Sequence, residues 1–163
     1  MRQFVFGNLS GCDGMLRVTK PGILQYEFCD QTVTLYHAEY EPEFQCQRVV
    51  FHGAYFDSRQ TMDATITGQE SERRCFLLLP SGNGRPVWNT ENQIVPLQAE
   101  RFCLQPGDRV LRGEGPIIAC REEWSRFVPA NVPDLVVVKE VSVKEWLGVV
   151  RHVEAEAEWY KRW

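Results

Sequence analysis

Residues 32–59 read TVTLYHAEYEPEFQCQRVVFHGAYFDSR, and this stretch decides the fold. Residues 32–37 alternate between two faces of an extended chain, one with valine, leucine and histidine, the other with two threonines and a tyrosine. This period of two is typical of a half-buried strand. Pro42 interrupts the run because it cannot donate a ladder hydrogen bond. A second run from Phe44 to Phe56 follows at hairpin distance, so the segment predicts a β-hairpin.

The second run also predicts an irregularity and a loop. Its apolar positions change parity between Arg48 and Val50, which indicates a β-bulge or a bend there. After Phe56 the sequence is polar as far as Arg74. Long structureless loops are uncommon in compact domains and are often functional. We therefore predict a long exposed loop over residues 57–74, either a solvated excursion or a contact loop that orders on assembly.

Composition sets broad limits. The chain has 163 residues, 44% hydrophobic and 25% charged, which suits one domain with an ordinary core. Its net charge of −4 argues against a broad basic surface for nucleic acid, but is compatible with DNA passing through a pore. No stretch approaches the roughly 20 apolar residues of a membrane span. The opening MRQFVFGNLSG lacks the features of a signal peptide, so we expect folding in a cytoplasm.

The cysteines do not form a recognisable site. They are Cys12, Cys29, Cys46, Cys75, Cys103 and Cys120. No two have CxxC spacing, and the three histidines are not clustered with them, so zinc is poorly supported. Without a secretion signal a disulfide framework is not supported either. We predict buried or semi-buried thiols that act as small hydrophobes, with no metal and no cofactor.

The rest of the chain alternates short apolar runs with turn residues. Residues 1–30 predict an N-terminal hairpin or an arm that reaches a neighbouring subunit. Residues 121–127 predict a short amphipathic helix. Further short strands are predicted at 75–79, 101–104, 109–112, 117–120 and 135–138, with a bulge or break at 139–140, a turn at 144–148 and a last strand from Val149.

These elements predict a mainly β fold. Seven or more short strands, one short helix and one long loop are typical of a small β-barrel or sandwich, with its body over residues 31–158. An aromatic C-terminal tail, residues 159–163, follows it. Trp159 and Trp163 stand in charged surroundings, so we expect them to pack on the body or on a partner.

No catalytic motif is present. The chain has no GxSxG, HExxH, Walker-type or dinucleotide-binding sequence. A nucleophilic pair would have to combine Cys46 or Cys75 with His37 or His52. Since Cys46 and both histidines lie within strand patterns, a packed thiol and an exposed or cross-strand imidazole are the simpler interpretation. We predict that the chain is not an enzyme.

Five motifs follow one another along the chain. They are TVTLYHAEY at 32–40, VVFHGAYFDSR at 49–59, LQPGDRVLRGEG at 104–115, DLVVVKEVS at 134–142 and VVRHVEAEA at 149–157. This order resembles a family of small structural proteins of prophages and long-tailed phages of Gram-positive gut bacteria. These are head–tail joining or head-completion (stopper) proteins. The first 30 residues and the aromatic tail depart from the family pattern.

The resemblance implies a small β-barrel without catalysis, in the virion neck, assembled in the host cytoplasm. It implies a homo-oligomeric ring between the portal–adaptor and the tail-terminator proteins, with viral DNA passing through the lumen without sequence-specific binding. By that analogy the 57–74 loop faces the lumen or a neighbouring subunit, through Asp57, Arg59, Asp63, Glu70, Glu72, Arg73 and Arg74. The expected partner contacts are Phe4, Phe6, Trp88, Trp159 and Trp163.

Three alternatives stay open. One is a tail-completion or tail-terminator ring, one layer further from the head. Another is a small hydrolase or thiol enzyme on a β scaffold. The third is a non-viral β-barrel module that binds oligonucleotide or sugar, against which the acidic charge balance argues.

Overall fold

The structure of the chain is a computed structural model that describes residues 17–20, 23–65, 68–89, 100–128, 132 and 134–159. Over residues 17–20, 23–25, 60–65 and 68–73 it describes the backbone alone. Its elements are β1 (Arg17–Lys20), β2 (Ile23–Gln25), β3 (Gln31–Glu39), β4 (Gln45–Thr65), β5 (Gly68–Pro80), β6 (Val87–Trp88), β7 (Arg101–Phe102), β8 (Arg109–Arg112), α1 (Arg121–Phe127), β9 (Leu135–Trp146) and β10 (Val149–Trp159).

Six strands close into a barrel in the order β10-β5-β4-β3-β8-β9, and β9 pairs back to β10. All pairings within the barrel are antiparallel. Two short pairs lie outside it, β1 with β2 and the parallel pair β6 with β7. The predicted mainly β fold is confirmed, and of the two architectures considered the chain adopts the barrel.

The barrel interior holds the main core. Most of its inward-facing side chains are aliphatic or aromatic, and on β10 the valines Val150 and Val153 are followed by the smaller Ala155 and Ala157. Each fully buried Val, Leu or Phe side chain contributes about 1.5–3 kcal/mol relative to exposure. The buried cluster contains Val33, Leu35, Phe51, Phe56, Leu77, Leu79, Val110, Val136, Val138 and Val153.

Strand β3 is buried on both faces, whereas the alternation predicts burial of one. Val33 and Leu35 point into the barrel as expected. On the other face Thr34 donates a hydrogen bond to the Gly113 carbonyl (2.7 Å) and accepts one from the Gly115 N–H (2.9 Å). Tyr36, also fully buried, donates to the Pro116 carbonyl (2.8 Å). The 113–116 segment therefore covers the face that looks solvent-exposed in the sequence.

Helix α1 has the predicted bounds and closes a second, outer core. Trp124 and Phe127, at i and i+3, both pack on Tyr36. A helix of this length is not stable alone, so this packing holds it in place. The predicted strand at 117–120 is wrong. Those residues are irregular, and Ile118 joins the outer core while the chain turns into the helix.

Three extra residues interrupt the ladders of the barrel. Gly53 (φ +85°) is unpaired opposite β3, so the first bulge lies three residues beyond the predicted interval of 48–50. Lys139 is extra opposite β10, which confirms the predicted irregularity at 139–140. Arg151 is extra opposite β9, and this lets both Val150 and Val153 face inward. Arg151 therefore does not break the apolar face as strict alternation implies.

The predicted long loop at 57–74 is instead a β-hairpin. Strands β4 and β5 pair continuously from Tyr55–Leu78 to Thr65–Gly68. Strand β10 pairs with β5 only as far as Arg74, and β3 pairs with β4 only as far as Ala54. Residues 60–65 and 68–73, which we call the ribbon, therefore pair only with each other among the described strands. At about 3.3 Å per residue, the ribbon extends roughly 20 Å beyond the barrel.

The N-terminal segment packs on the outside of the barrel. β1 and β2 form a local hairpin. The hairpin or arm predicted for residues 1–30 stays a prediction, since residues 1–16 lie outside the described chain. Tyr26 and Cys29 bury Leu78 on the outer face of β5. The Tyr26 hydroxyl lies 2.7 Å from His152 Nδ1 on β10. Leu78 is thus covered, and β5 is buried on both faces over residues 77–79.

Candidate functional site

The ribbon carries most of the residues predicted to face a lumen or a neighbouring subunit. Asp63 and Glu70 are cross-strand partners within it, and Glu72 and Arg73 oppose Thr61 and Gln60. At its base Arg59 opposes Arg74. Like charges directly opposite each other destabilise a β pair. The ribbon therefore has a sequence that is poorly suited to stability in isolation.

A cleft of about 660 Å³ lies at the base of the ribbon, where β4 and β5 leave the barrel. Its charged lining consists of Arg59, Arg74, Lys139, Glu156 and Glu158. The cations have acidic or other partners: Arg59 Nε lies 2.9 Å from Asp57 Oδ2, Lys139 bonds Glu158, and Arg74 is also engaged. The cleft is therefore lined by charges of both signs, and its cations are already engaged within the chain.

The tryptophans predicted as partner contacts pack on their own barrel where they are described. Trp88 lies edge-to-face on Phe102, with ring centroids 5.4 Å apart, so it anchors the segment that follows β5. Trp159 packs edge-to-face on Phe56 at 6.5 Å, which closes the barrel end beside the ribbon. Phe4, Phe6 and Trp163 lie outside the described residues.

The structure does not bring together any of the four cysteine–histidine pairs considered from the sequence. Cys46 pairs with Ala38, so it lies on the opposite face of the sheet from His37. His52 lies six residues along β4 from Cys46, roughly 20 Å at strand spacing. Cys75 faces the barrel interior, whereas His52 is exposed and bonds Thr32 (3.0 Å). His37 pairs with Gln47 and Cys75 with Ser58, and these two partners lie eleven residues apart along β4.

The thiols themselves are poor nucleophiles. Burial raises the pKa of Cys46 to about 11 and, with help from Asp57, that of Cys75 to about 12. A thiol attacks as the thiolate, and these remain protonated at neutral pH. The predicted burial holds for Cys29 and Cys75 and in part for Cys46 and Cys120, while Cys103 is exposed. All five are free thiols, and Cys12 is outside the described chain.

A polar cluster that sequence patterns do not reveal joins β3 to the turn before β8. His37 Nδ1 lies 2.7 Å from Asp108 Oδ1, and Asp108 is only 5% exposed. Asp108 Oδ2 accepts the Gln105 N–H (2.9 Å), and His37 Nε2 faces Glu39 (3.3 Å). Burial lowers the pKa of His37, but hydrogen bonds and charge from Asp108 and Glu39 outweigh it and leave that pKa raised. Because both ring nitrogens are engaged, the cluster holds the turn before β8 against β3.

An exposed apolar cluster also lies at the tip of the β9–β10 hairpin. Trp146 and Val149 are cross-strand partners, and Leu147 occupies the turn between them. Leu147 is 79% exposed and Trp146 54%. We call Trp146, Leu147 and Val149 the knob. The sequence predicts a turn at 144–148, but β9 continues to Trp146 and the turn is only Leu147–Gly148. The sequence Trp146-Leu147-Gly148, in which two large apolar residues precede a turn glycine, is the signal from which an exposed apolar tip could be predicted.

Within the described chain, no group of three or more His, Cys, Asp or Glu residues is placed to hold a metal ion. No helix of that part is long and apolar enough to cross a membrane. No family model, curated protein or solved structure matches the chain.

Proposed function

We propose that this chain is a structural protein of a tailed-phage virion, a component of the head–tail connector. It forms a homo-oligomeric ring that joins the portal and adaptor to the tail, and its lumen lets DNA pass. The order of motifs between residues 32 and 157 supports this, because it resembles head-completion proteins. The closed barrel is the fold that the resemblance implies.

The projecting ribbon is the observation that carries the proposal. An isolated two-stranded hairpin is at best marginally stable in water. This one also places Asp63 opposite Glu70, which weakens it further. Such an arm is stabilised when it lies against another subunit whose cations meet its carboxylates. A ring subunit needs an element of this kind, since each copy must bind a different surface on the next.

The charge of the chain fits a channel rather than a nucleic-acid reader. Affinity for DNA comes mainly from Lys and Arg that neutralise phosphates. The net charge is −4, and Arg48, Arg59 and Lys139 each lie beside a carboxylate of their own chain. A surface of this kind does not retain DNA, so the nucleic acid slides through the ring.

The test is to measure the mass of the purified protein in solution and to image it alone and with a portal–adaptor complex. We expect a ring, or a monomer that becomes a ring on that complex, with the ribbon against a neighbouring copy or toward the channel.

Assembly on tail tubes instead of the portal–adaptor complex would place the chain one layer further along, as a tail-completion or tail-terminator ring. A chain that stays monomeric and ignores both would overturn the virion assignment. Salt-dependent binding of short oligonucleotides by that monomer would then favour a β-barrel binding module.

A further inference from the structure

Leu147, at the tip of the knob, is unfavourable in two ways: in its backbone conformation and in its exposure to solvent. Leu147 has φ +53° and Gly148 has φ +72°, so the hairpin turns through two residues in the left-handed region. Asn, Asp and Gly are the residues that occupy the first such position without strain, and a branched apolar side chain is disfavoured there. Leu147 is also almost entirely in solvent. An asparagine at this position would relieve both costs, so the leucine is explained by a contact outside its own subunit.

The neighbours of Leu147 point the same way. Trp146 and Val149 flank it and are both exposed, which makes a contiguous apolar tip. Exposed apolar residues scattered singly are ordinary, but a projecting cluster with a tryptophan is typical of an interface anchor.

A second apolar surface lies on the other side of the barrel. Tyr40 is 52% exposed and Ile117 76%. Tyr40 accepts a hydrogen bond from Trp124 Nε1 (2.7 Å), and Ile117 follows Pro116, whose carbonyl binds Tyr36. Both residues thus border the outer core under α1, and we call them the platform. In the closed strand order β10-β5-β4-β3-β8-β9, the β9–β10 and β3–β4 pairs are separated by one strand on each side, so the knob and the platform lie across the barrel from each other. Because β9 runs in the same direction as β3, both surfaces lie toward the same end of the barrel.

We infer that the knob of one copy docks on the platform of the next copy, as a head-to-tail contact between subunits. This inference rests on the proposed ring and names a contact that builds it. Two different patches on opposite sides of one subunit produce a heterologous interface, and such an interface closes into a ring or continues as a filament. A knob that met another knob would instead produce a closed dimer.

The charges around the two surfaces are complementary. Lys144 and Glu145 are exposed beside the knob. Glu41 and Glu43 are exposed beside the platform, and the Arg121 guanidinium lies over the Tyr40 ring at 5.7 Å. Lys144 lies 3.4 Å from Glu154 Oε2 in its own hairpin, so docking exchanges this partly exposed ion pair for one with a platform glutamate and also pairs Glu145 with Arg121. Rim charges of this kind contribute mainly to orientation and association rate.

The test uses two variants that each remove one surface. The knob variant is Trp146→Ser with Leu147→Asn, and the platform variant is Ile117→Asp. Both change exposed residues, and Leu147→Asn alone should leave the thermal stability of the subunit unchanged or raised. Each variant by itself should associate at least roughly tenfold more weakly than the native chain. Sedimentation in reducing buffer measures this association. Glu27→Gln, an exposed change away from both surfaces, is the matched control.

Mixing the two variants decides the geometry. The knob variant keeps its platform and the platform variant keeps its knob, so an equimolar mixture should form a one-to-one heterodimer that grows no further. Association of the platform variant with itself would indicate a knob-to-knob dimer and overturn the inference. Native-like oligomers of both variants would overturn the contact while leaving the proposed ring intact.

Two further results also overturn the inference. One is a native chain that stays monomeric at every concentration and also on the portal–adaptor complex, which removes the proposed ring as well. The other is a knob variant that still forms rings but no longer joins the portal–adaptor complex, which assigns the knob to a different protein.

Discussion

At the scale of single residues, the His37–Asp108 pair connects segments that are far apart in sequence. The histidine lies on β3 and the aspartate in the Gln105–Asp108 turn, where Gly107 adopts φ +98° after Pro106. That geometry matches a turn with proline second and glycine third. The buried carboxylate receives its remaining hydrogen bond from the Gln105 N–H. The pair therefore holds the turn against the rim of the barrel.

The stability of the fold should depend on the charge of His37. Its pKa in the folded chain lies above the ordinary value of 6.5, so the pairing stabilises fully below pH 6.5 and its contribution is lost as the pH rises through the folded-state pKa. His37→Gln should cost on the order of 1 kcal/mol of unfolding free energy at about pH 6 and progressively less toward pH 8.5. Urea unfolding at several pH values measures this difference. His52→Gln is the control, and an equal cost of His37→Gln at every pH would contradict the interpretation.

Gly115 is the second residue whose identity depends on close contacts. A Cβ at this position would overlap the Tyr36 hydroxyl and Leu111 Cδ2. The same glycine accepts hydrogen bonds from Arg48 Nε (2.9 Å) and Nη2 (2.6 Å). Gly115→Ala should therefore destabilise the chain by about 1–3 kcal/mol, as for overpacked cores. Chemical denaturation beside Glu114→Ala, at an exposed neighbour, checks this, and native-like stability of Gly115→Ala would show that the 113–116 segment can move away.

At the scale of elements, the ribbon is the longest stretch in which two described strands of the barrel sheet pair only with each other. Its base is held by Cys75 and Phe56 in the core and by the register of Arg74 with Glu158. The pairing of β5 with β10 that closes the barrel lies entirely within Arg74–Pro80, outside the ribbon. We therefore expect the barrel to fold without the ribbon.

Removing the ribbon should separate folding from assembly. We expect a chain in which Asn-Gly joins Arg59 directly to Arg74 to form the same barrel, since those residues are already cross-strand partners. Its unfolding free energy should change by less than about 1 kcal/mol, while ring formation on the portal–adaptor complex is lost. Circular dichroism and sedimentation measure the two properties. Rings formed by the shortened chain would show that the ribbon is not an assembly element.

At the scale of the whole molecule, barrel closure decides which groups solvent can reach. Cys75 points inward between β4 and β10, and Cys29 lies under the N-terminal segment on the outside. Their pKa values are raised to about 12 and about 11, chiefly by burial. Cys103 is the exposed cysteine among those described.

Alkylation should report this closure directly. In the native protein Cys103 should react first, whereas Cys75 should react only at urea concentrations that unfold the barrel. Peptide mass spectrometry after timed labelling distinguishes the sites, and Cys46 and Cys120 should fall between these extremes. Labelling of Cys75 as fast as Cys103 without denaturant would mean that the barrel opens at this seam.

Short-range patterns were sufficient for much of the secondary structure. Alternation identified β3 and β10, the spacing of Trp124 and Phe127 identified α1, and Pro106 with Gly107 identified a turn, because each signal lies within a few neighbouring residues. The same reasoning failed at 57–74. Polar composition is typical of loops, but a strand that is exposed on both faces has the same composition, and only its pairing partner distinguishes the two.

The features that bear most on function depend on segments that meet only when the barrel closes. Tyr36 and Thr34 are buried because residues 113–116 and α1, some eighty positions away, cover them. His37 meets Asp108 for the same reason. The opposed placement of knob and platform follows from the strand order, which no local pattern contains. A sequence specifies which side chains can be buried and which turns are allowed, whereas long-range pairing determines which faces remain open to a partner.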